Sequence, residues 1–371
     1  METVRTDTLE TDSMTQALFA LLRAGLWGAE KELEGFRKLT ATEWDAIYAM
    51  ARQQTVRGLV YAGICMLPDE LMPDDSQLMR WAAAVEGVEQ RNRHMNMVLC
   101  KVCQWFESHD LKPIVMKGQG VAQCYEQPLL RECGDIDLYF ATPEEHSEAC
   151  RFLKEKVKEI DFHADGSYSY VVDGVSVEHH RQLIDLTDDS ACARIGQLEK
   201  KYGFPMEEIT ADRCGTVRVP SPTEDVILQN AHIMKHTLGW GVGLRQLCDM
   251  ARICHTRHEA IKGDAVQEVC RLAGVTEWTC LLHSFLTDYM GMPEDSLPFA
   301  TKHISSEPLL CRILKGGNFG QHRADMNKMA SGPLKRKLQT AWTFAQNAAF
   351  AAKYAPGEGA RTFWSLLKGQ F

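Results

Sequence analysis

The chain has 371 residues, 45% of them hydrophobic, enough to bury a large core and to divide into two or three lobes. Its formal net charge of -9 argues against a broad nucleic-acid-binding surface, which needs clustered Lys and Arg, and favours a small molecule or a protein as substrate. No charged-then-apolar leader opens the sequence and no apolar run approaches the roughly 20 residues of a membrane helix, so a cytoplasmic protein with no membrane partner is expected.

Residues 1–110 read as helical, with Thr42 before Glu43-Trp44 as the expected N-cap and apolar residues at helical spacing through Ile64. Pro68 to Asp75 is a polar, proline-containing break. The 13 cysteines are odd in number and lack framework spacing, which fits reduced thiols. Cys100-Lys-Val-Cys103 lies in the helical run Gln90 to His109, where a spacing of three puts both thiols on one face. With no second Cys or His pair at zinc-finger spacing, they read as buried apolar cysteines rather than a metal or redox pair.

Residues 111–220 alternate strand and helix. Ile114-Val115-Met116 is a short apolar strand that runs through Lys117-Gly118-Gln119-Gly120 into an expected helix, Val121 to Glu126. A strand feeding through glycines into a helix start offers backbone N–H groups to phosphates, and Lys117 adds a point charge. In Gly134-Asp135-Ile136-Asp137-Leu138-Tyr139-Phe140 two carboxylates stand one residue apart among strand-forming residues. Strand alternation sends Asp135 and Asp137 to one side and Ile136, Leu138 and Phe140 to a core. Two hard oxygen donors converge as an octahedral Mg²⁺ accepts them. Just upstream, Arg131 carries a permanently charged fork that either clamps phosphate or pairs with Glu132 or Asp135.

Thr142-Pro143-Glu144-Glu145 starts a helix. Strands near Phe162, over Tyr168 to Val172 and over Val175 to His179 follow, the last two turning at Asp173-Gly174. This hairpin brings a third carboxylate, Glu178, with Asp173 or Asp185 as competing candidates. Residues 221–371 read as helical from Thr223, broken at Gly316-Gly317-Asn318-Phe319-Gly320, a connection rather than a phosphate loop because no strand precedes it. His232 and His236, four apart, share a helix face; lacking the Glu of a His-Glu-x-x-His site, they read as cleft lining or structural histidines. Arg245 and Asp249 are also four apart, either a helix-surface ion pair or substrate-site residues.

Met116-Lys117-Gly118, then Arg131 through Gly134-Asp135-Ile136-Asp137-Leu138, then Val177-Glu178-His179-His180, resembles the uncharacterised bacterial nucleotidyltransferase family of the DNA polymerase β-like superfamily. That superfamily is marked by a glycine turn, an acidic pair on one strand and a third acidic residue on a later one. The usual Gly-Ser of the turn is Lys117-Gly118 here, Glu178 stands where an Asp is often found, and His180 occupies a position where the family tends to carry His. Pro222 to His232 with Leu244 to Met250 is similar to the family's helical C-terminal signature, and Trp44 to Leu59 to its N-terminal helices.

The resemblance implies an α+β fold, a small mixed β-sheet nucleotidyltransferase core flanked by the N-terminal and C-terminal helical regions. It implies transfer of a nucleoside monophosphate from an NTP, ATP foremost, to an acceptor hydroxyl of a small molecule or protein, with pyrophosphate released. Two Mg²⁺ ions, or Mn²⁺ in their place, would sit on Asp135, Asp137 and Glu178, the catalytic set. Lys117, Gly118, Arg131 and Gly134 would face the phosphates, and His180, His232, His236 and Arg245 the substrate. The alternatives are an inactive nucleotide-binding or regulatory module, which three intact carboxylates disfavour, and a phosphatase-like Asp-x-Asp hydrolase, which the helical N-terminal region fits poorly.

Overall fold

A computed structural model of the chain describes residues 2–184, 198, 201–211, 214–239, 241–316 and 348–361. Asp185 and the stretch Gly317 to Gly320 lie outside the described residues. Four helices open the chain: α1 (Glu2–Trp27), α2 (Ala41–Gln53), α3 (Arg57–Ile64) and α4 (Asp75–Glu107). The N-cap of α2 is Thr40 rather than Thr42: Thr40 Oγ1 accepts from the Glu43 amide at 3.3 Å and the Glu43 carboxylate accepts from the Thr40 amide at 2.7 Å. A capping box needs its acid three residues on, and only Thr40 stands at that distance from Glu43. In α4 the buried residues Trp81, Val85, Val88, Asn92, Met95, Leu99, Val102 and Phe106 recur every three or four positions, the stripe of a helix lying on a core.

The strands β1 (Ile114–Met116), β2 (Ile136–Tyr139), β3 (Asp161–Phe162), β4 (Tyr168–Val172), β5 (Val175–His180), β6 (Glu207–Ala211) and β7 (Gly215–Val219) form one seven-stranded sheet in the order β3-β4-β5-β2-β1-β7-β6. It is mixed, because central β2 runs antiparallel to β1 and parallel to β5. The β6–β7 hairpin falls between the predicted strands and the C-terminal helices and was not expected. Its alternation, with Ala211, Val217 and Val219 buried, is short and interleaved with charged residues. The turn after β1 also differs from expectation: helix α5 is Gly118–Ala122, not Val121 to Glu126. Pro128 lies close downstream, and a residue preceding proline is disfavoured in helical geometry, so Gln127 is non-helical, at φ -122° and ψ 85°, and the helix ends before reaching it. Helix α6 (Pro143–Lys156) begins as predicted, with Thr142 and Glu145 in a capping box.

The C-terminal helices include α7 (Pro222–Leu238), α8 (Leu244–Thr256), α9 (Gly263–Ala273), α10 (Thr276–Asp288) and α11 (Glu307–Gly316). They do not stand apart from the N-terminal ones. Leu18, Leu21, Trp44 and Ile64 share a single buried cluster with Val226, Leu247, Ile253 and Phe285. Gln54 fastens this union, donating to the Ile313 carbonyl at 2.9 Å and accepting from the Leu244 amide at 3.0 Å. Helices α1 and α3 approach so closely that a Cβ on Gly25 would lie 1.8 Å from the Leu59 carbonyl oxygen, which only glycine permits.

A second core fills the space between one face of the sheet and helices α4 and α6, where Phe106, Ile136, Leu138, Phe152 and Val177 meet. His179 belongs to this face, fully buried, stacked on Tyr168 with ring centroids 4.7 Å apart and bonded to the Tyr170 hydroxyl at 2.9 Å. The residues between these positions project to the opposite face, towards α7 and α8. Among the described residues, no helix is long and apolar enough to cross a membrane.

Candidate active site

The parallel pairing of β2 with β5 puts Asp137 opposite Glu178 and Tyr139 opposite His180, so alternation delivers both carboxylates and the imidazole to one face. Antiparallel β1 sets Met116 opposite Asp137 and thereby brings Lys117 alongside. His180 Nε2 lies 2.5 Å and Lys117 Nζ 3.4 Å from Asp137 Oδ1, while His180 Nδ1 is 4.0 Å from Glu178 Oε1. Asp137, Glu178 and His180 each offer a ligand atom within 4.8 Å of the others. Asp135 stands one residue ahead of β2, with Gly134 before it, and lines the same cleft.

The charges in this space are strongly coupled. The neighbouring Asp137 carboxylate, and then burial, push Asp135 up to about 6, against the pull of Lys117 and Arg245. Burial works on Asp137 in the same direction, but Lys117 and the His180 hydrogen bond overcome it and hold Asp137 well below the usual carboxylate range. Crowded carboxylate oxygens are the donor set a Mg²⁺ ion takes, and the adjacent imidazole suits Mn²⁺ as well. The residues therefore fit a divalent cation.

Lys117 holds φ 50°, ψ -137°, a conformation that L residues rarely adopt, at a cost of about 1–3 kcal/mol. Gly118 follows with φ 27°. A Cβ there would meet the Asp135 carbonyl oxygen at 3.4 Å, ordinary contact, so the glycine is demanded by backbone conformation rather than by space.

Helices α7 and α8 form the opposite wall. His232 and His236 share a face as their spacing predicts, with ring centroids 4.4 Å apart and nearly perpendicular. Burial first, then His236 and Lys117, push the His232 pKa well below its ordinary value, so this imidazole is neutral. Among the described residues neither histidine belongs to a group close enough to hold a metal.

Three expectations change here. Arg131 pairs with neither Glu132 nor Asp135: its Nε and Nη2 donate to the two Asp249 oxygens, each at 2.7 Å, and Glu132 is bound instead by Arg57 at 2.6 Å. Arg131 reaches the cleft wall, but its fork is committed. Asp249 is not on a helix surface beside Arg245; it is 1% exposed and also accepts from the Tyr125 hydroxyl at 2.7 Å. Helix α8 is enclosed by the sheet and the N-terminal core, which buries the face that a solvent-exposed pair would need. Arg245 lines the cleft and donates to the Glu132 carbonyl at 2.7 Å. Asp173, the competing third carboxylate, sits at the exposed hairpin turn, 2.8 Å from Lys101.

Lys235, Gln229, Gln246 and Asp165 also line the cleft and were not singled out in the sequence. Lys235 follows His232 by three residues, and that helical spacing was a readable signal. Asp165, whose Oδ1 accepts from the Ser167 amide at 2.9 Å, precedes Gly166 in the turn between β3 and β4; the Asp-Gly pair signals a turn but carries no sign of a place in the cleft.

A family model described as an uncharacterised nucleotidyltransferase matches residues 40–291. No curated protein matches the chain. Among solved structures, an antigenic nucleotidyltransferase-like protein from Paracoccidioides brasiliensis aligns with 53% of this chain and 92% of its own, at 14% identity and a TM-score of 0.34. The matched residues span more than half of the chain and include Lys117, Asp135, Asp137, Glu178, His180 and the α7–α8 wall, so the chain belongs to this uncharacterised nucleotidyltransferase family.

Proposed function

We propose that the protein transfers a nucleoside monophosphate from an NTP, ATP foremost, to a hydroxyl of a small molecule or protein in a Mg²⁺-dependent reaction that releases pyrophosphate. The observation that carries this reading is the register of β2 against β5, which aligns Asp137 with Glu178 beside Asp135 and Lys117. Asp135, Asp137 and Glu178 would hold the divalent cations, with His180 near enough to join them. Bound there, such ions supply charge neutralisation on the phosphate oxygens and acidify a coordinated hydroxyl.

The chain's own groups do the rest. Glu178, whose side chain is 30% exposed where that of Asp137 is 9%, accepts the proton of the acceptor hydroxyl. The acceptor oxygen forms its bond to the α-phosphorus as the bond to the bridging oxygen breaks, and pyrophosphate carries away the electron pair. Lys117 and the helical wall, through Lys235 and Arg245, offset the charge that grows on the leaving phosphates. His180 holds Asp137 in place. Arg131, tied to Asp249, positions the segment leading into Asp135 rather than clamping phosphate directly. Gly134 leaves that segment without a side chain beside the phosphates.

A binding-only module remains the second reading, disfavoured because the three acids and Lys117 sit together. Incubation with Mg²⁺, each α-labelled NTP and a metabolite pool should yield labelled product and pyrophosphate, lost on chelation and restored by Mg²⁺ or Mn²⁺. Asp137→Asn with wild-type pyrophosphate release on a verified acceptor would refute the assignment.

A further inference from the structure

Three acids line the cleft from the sheet side, yet the compact donor set is not made of acids alone. Among the described residues, the group able to close around one cation is Asp137, Glu178 and His180, each with a ligand atom within 4.8 Å of the others, and Asp135 is outside it. Strand alternation explains the imidazole: of two consecutive histidines on β5, His179 turns into the core against Tyr168 and His180 turns with Glu178 into the cleft. His180 Nε2 is 2.5 Å from Asp137 Oδ1 and its Nδ1 is 4.0 Å from Glu178 Oε1. With bonds of about 2.1 Å, adjacent ligands on an octahedral ion lie about 3 Å apart and opposite ligands about 4.2 Å, so the three need only small adjustments to share one ion. Their side chains are 9%, 30% and 17% exposed, which leaves the group open to an entering cation on the cleft side.

We propose that His180 is itself a metal ligand and that its imidazole makes this site select a first-row transition ion, Mn²⁺ foremost, over Mg²⁺. The proposal rests on the nucleotidyl-transfer reading of the cleft and replaces an all-carboxylate set with two carboxylates and one nitrogen. Mg²⁺ bonds oxygen, gives up its waters reluctantly and gains little from a nitrogen donor, whereas Mn²⁺ keeps the octahedral preference and accepts imidazole. If His180 instead only oriented Asp137, it would strengthen the binding of both ions alike.

The test uses the nucleotide-free full chain with Mn²⁺ alone, titrated by electron paramagnetic resonance, and then with Mg²⁺ as competitor. His180→Gln removes the ring nitrogen but keeps an amide that can donate to Asp137, so it should weaken Mn²⁺ binding about tenfold more than Mg²⁺ binding. Pulsed resonance on bound Mn²⁺ should show a directly coordinated nitrogen, lost in His180→Gln and kept in His232→Gln, which alters the opposite wall. Absence of nitrogen coupling in the wild-type protein overturns the proposal even where no variant folds. Coupling that survives in His180→Gln, or equal losses for the two ions, overturns it as well, and these results leave nucleotidyl transfer untouched. Conversely, nitrogen-coordinated Mn²⁺ with no labelled product from any NTP would support His180 as a ligand while refuting the proposed reaction.

Discussion

Replacing Asp249 by Asn preserves the size of the side chain and removes the charge that holds Arg131. Arg131 is 5% exposed and donates to both Asp249 oxygens at 2.7 Å, while Tyr125 donates to one of them. An amide can still accept from one donor, but its NH₂ would face the second arm of the guanidinium, donor against donor. Removing one partner of a buried ion pair leaves an uncompensated charge and costs about 3–5 kcal/mol, a large part of the ~5–15 kcal/mol that typically holds a domain together. Removing both charges avoids that penalty, so the double variant Arg131→Met with Asp249→Leu should recover most of the loss. Urea unfolding followed by circular dichroism reads both numbers. A loss below about 1 kcal/mol for Asp249→Asn would mean that the pair behaves as a surface ion pair, and the argument from burial would fail.

Lys117→Gly should be more stable than Lys117→Ala by about 1 kcal/mol or more, because only glycine accepts φ 50°, ψ -137° without strain, although both should lose turnover; equal melting temperatures would refute the strain. Glu178→Gln should lower kcat more than NTP affinity, while Asp173→Asn, altering a carboxylate tied to Lys101 at the exposed turn, should leave both unchanged; the reverse pattern would move the third acid. Burial pushes His283 from about 6.5 down to about 4, so between those pH values the unfolded chain binds a proton that the folded chain refuses. Stability from this site is complete above pH 6.5 and declines on acidification towards pH 4, by about 3 kcal/mol. His283→Gln should therefore cost less stability at pH 4.5 than at pH 7, and a pH-independent difference between the two proteins would contradict the assignment.

What the sequence determines by itself is local. The alternation from Asp135 to Phe140 places the acidic pair on one side and Ile136 and Leu138 in a core, because strand geometry has a period of two whatever lies around it. The Thr142 cap, the Asp173-Gly174 hairpin and the shared face of His232 and His236 follow from equally short spacings. A short spacing can still be shared by competitors: Thr40 rather than Thr42 caps α2 because Glu43 stands at the right distance. Partner choice is where sequence reading ends. Arg131 has acids beside it at Glu132 and Asp135, yet its fork is filled from α8 by Asp249, since burial rewards the bidentate geometry that only the folded chain presents. Likewise Lys235 joins the acidic strands around one cleft only when sheet order and helix packing bring distant segments together. Hydrophobic periodicity specifies which face of each element is covered; which element covers it depends on the packing of the whole chain.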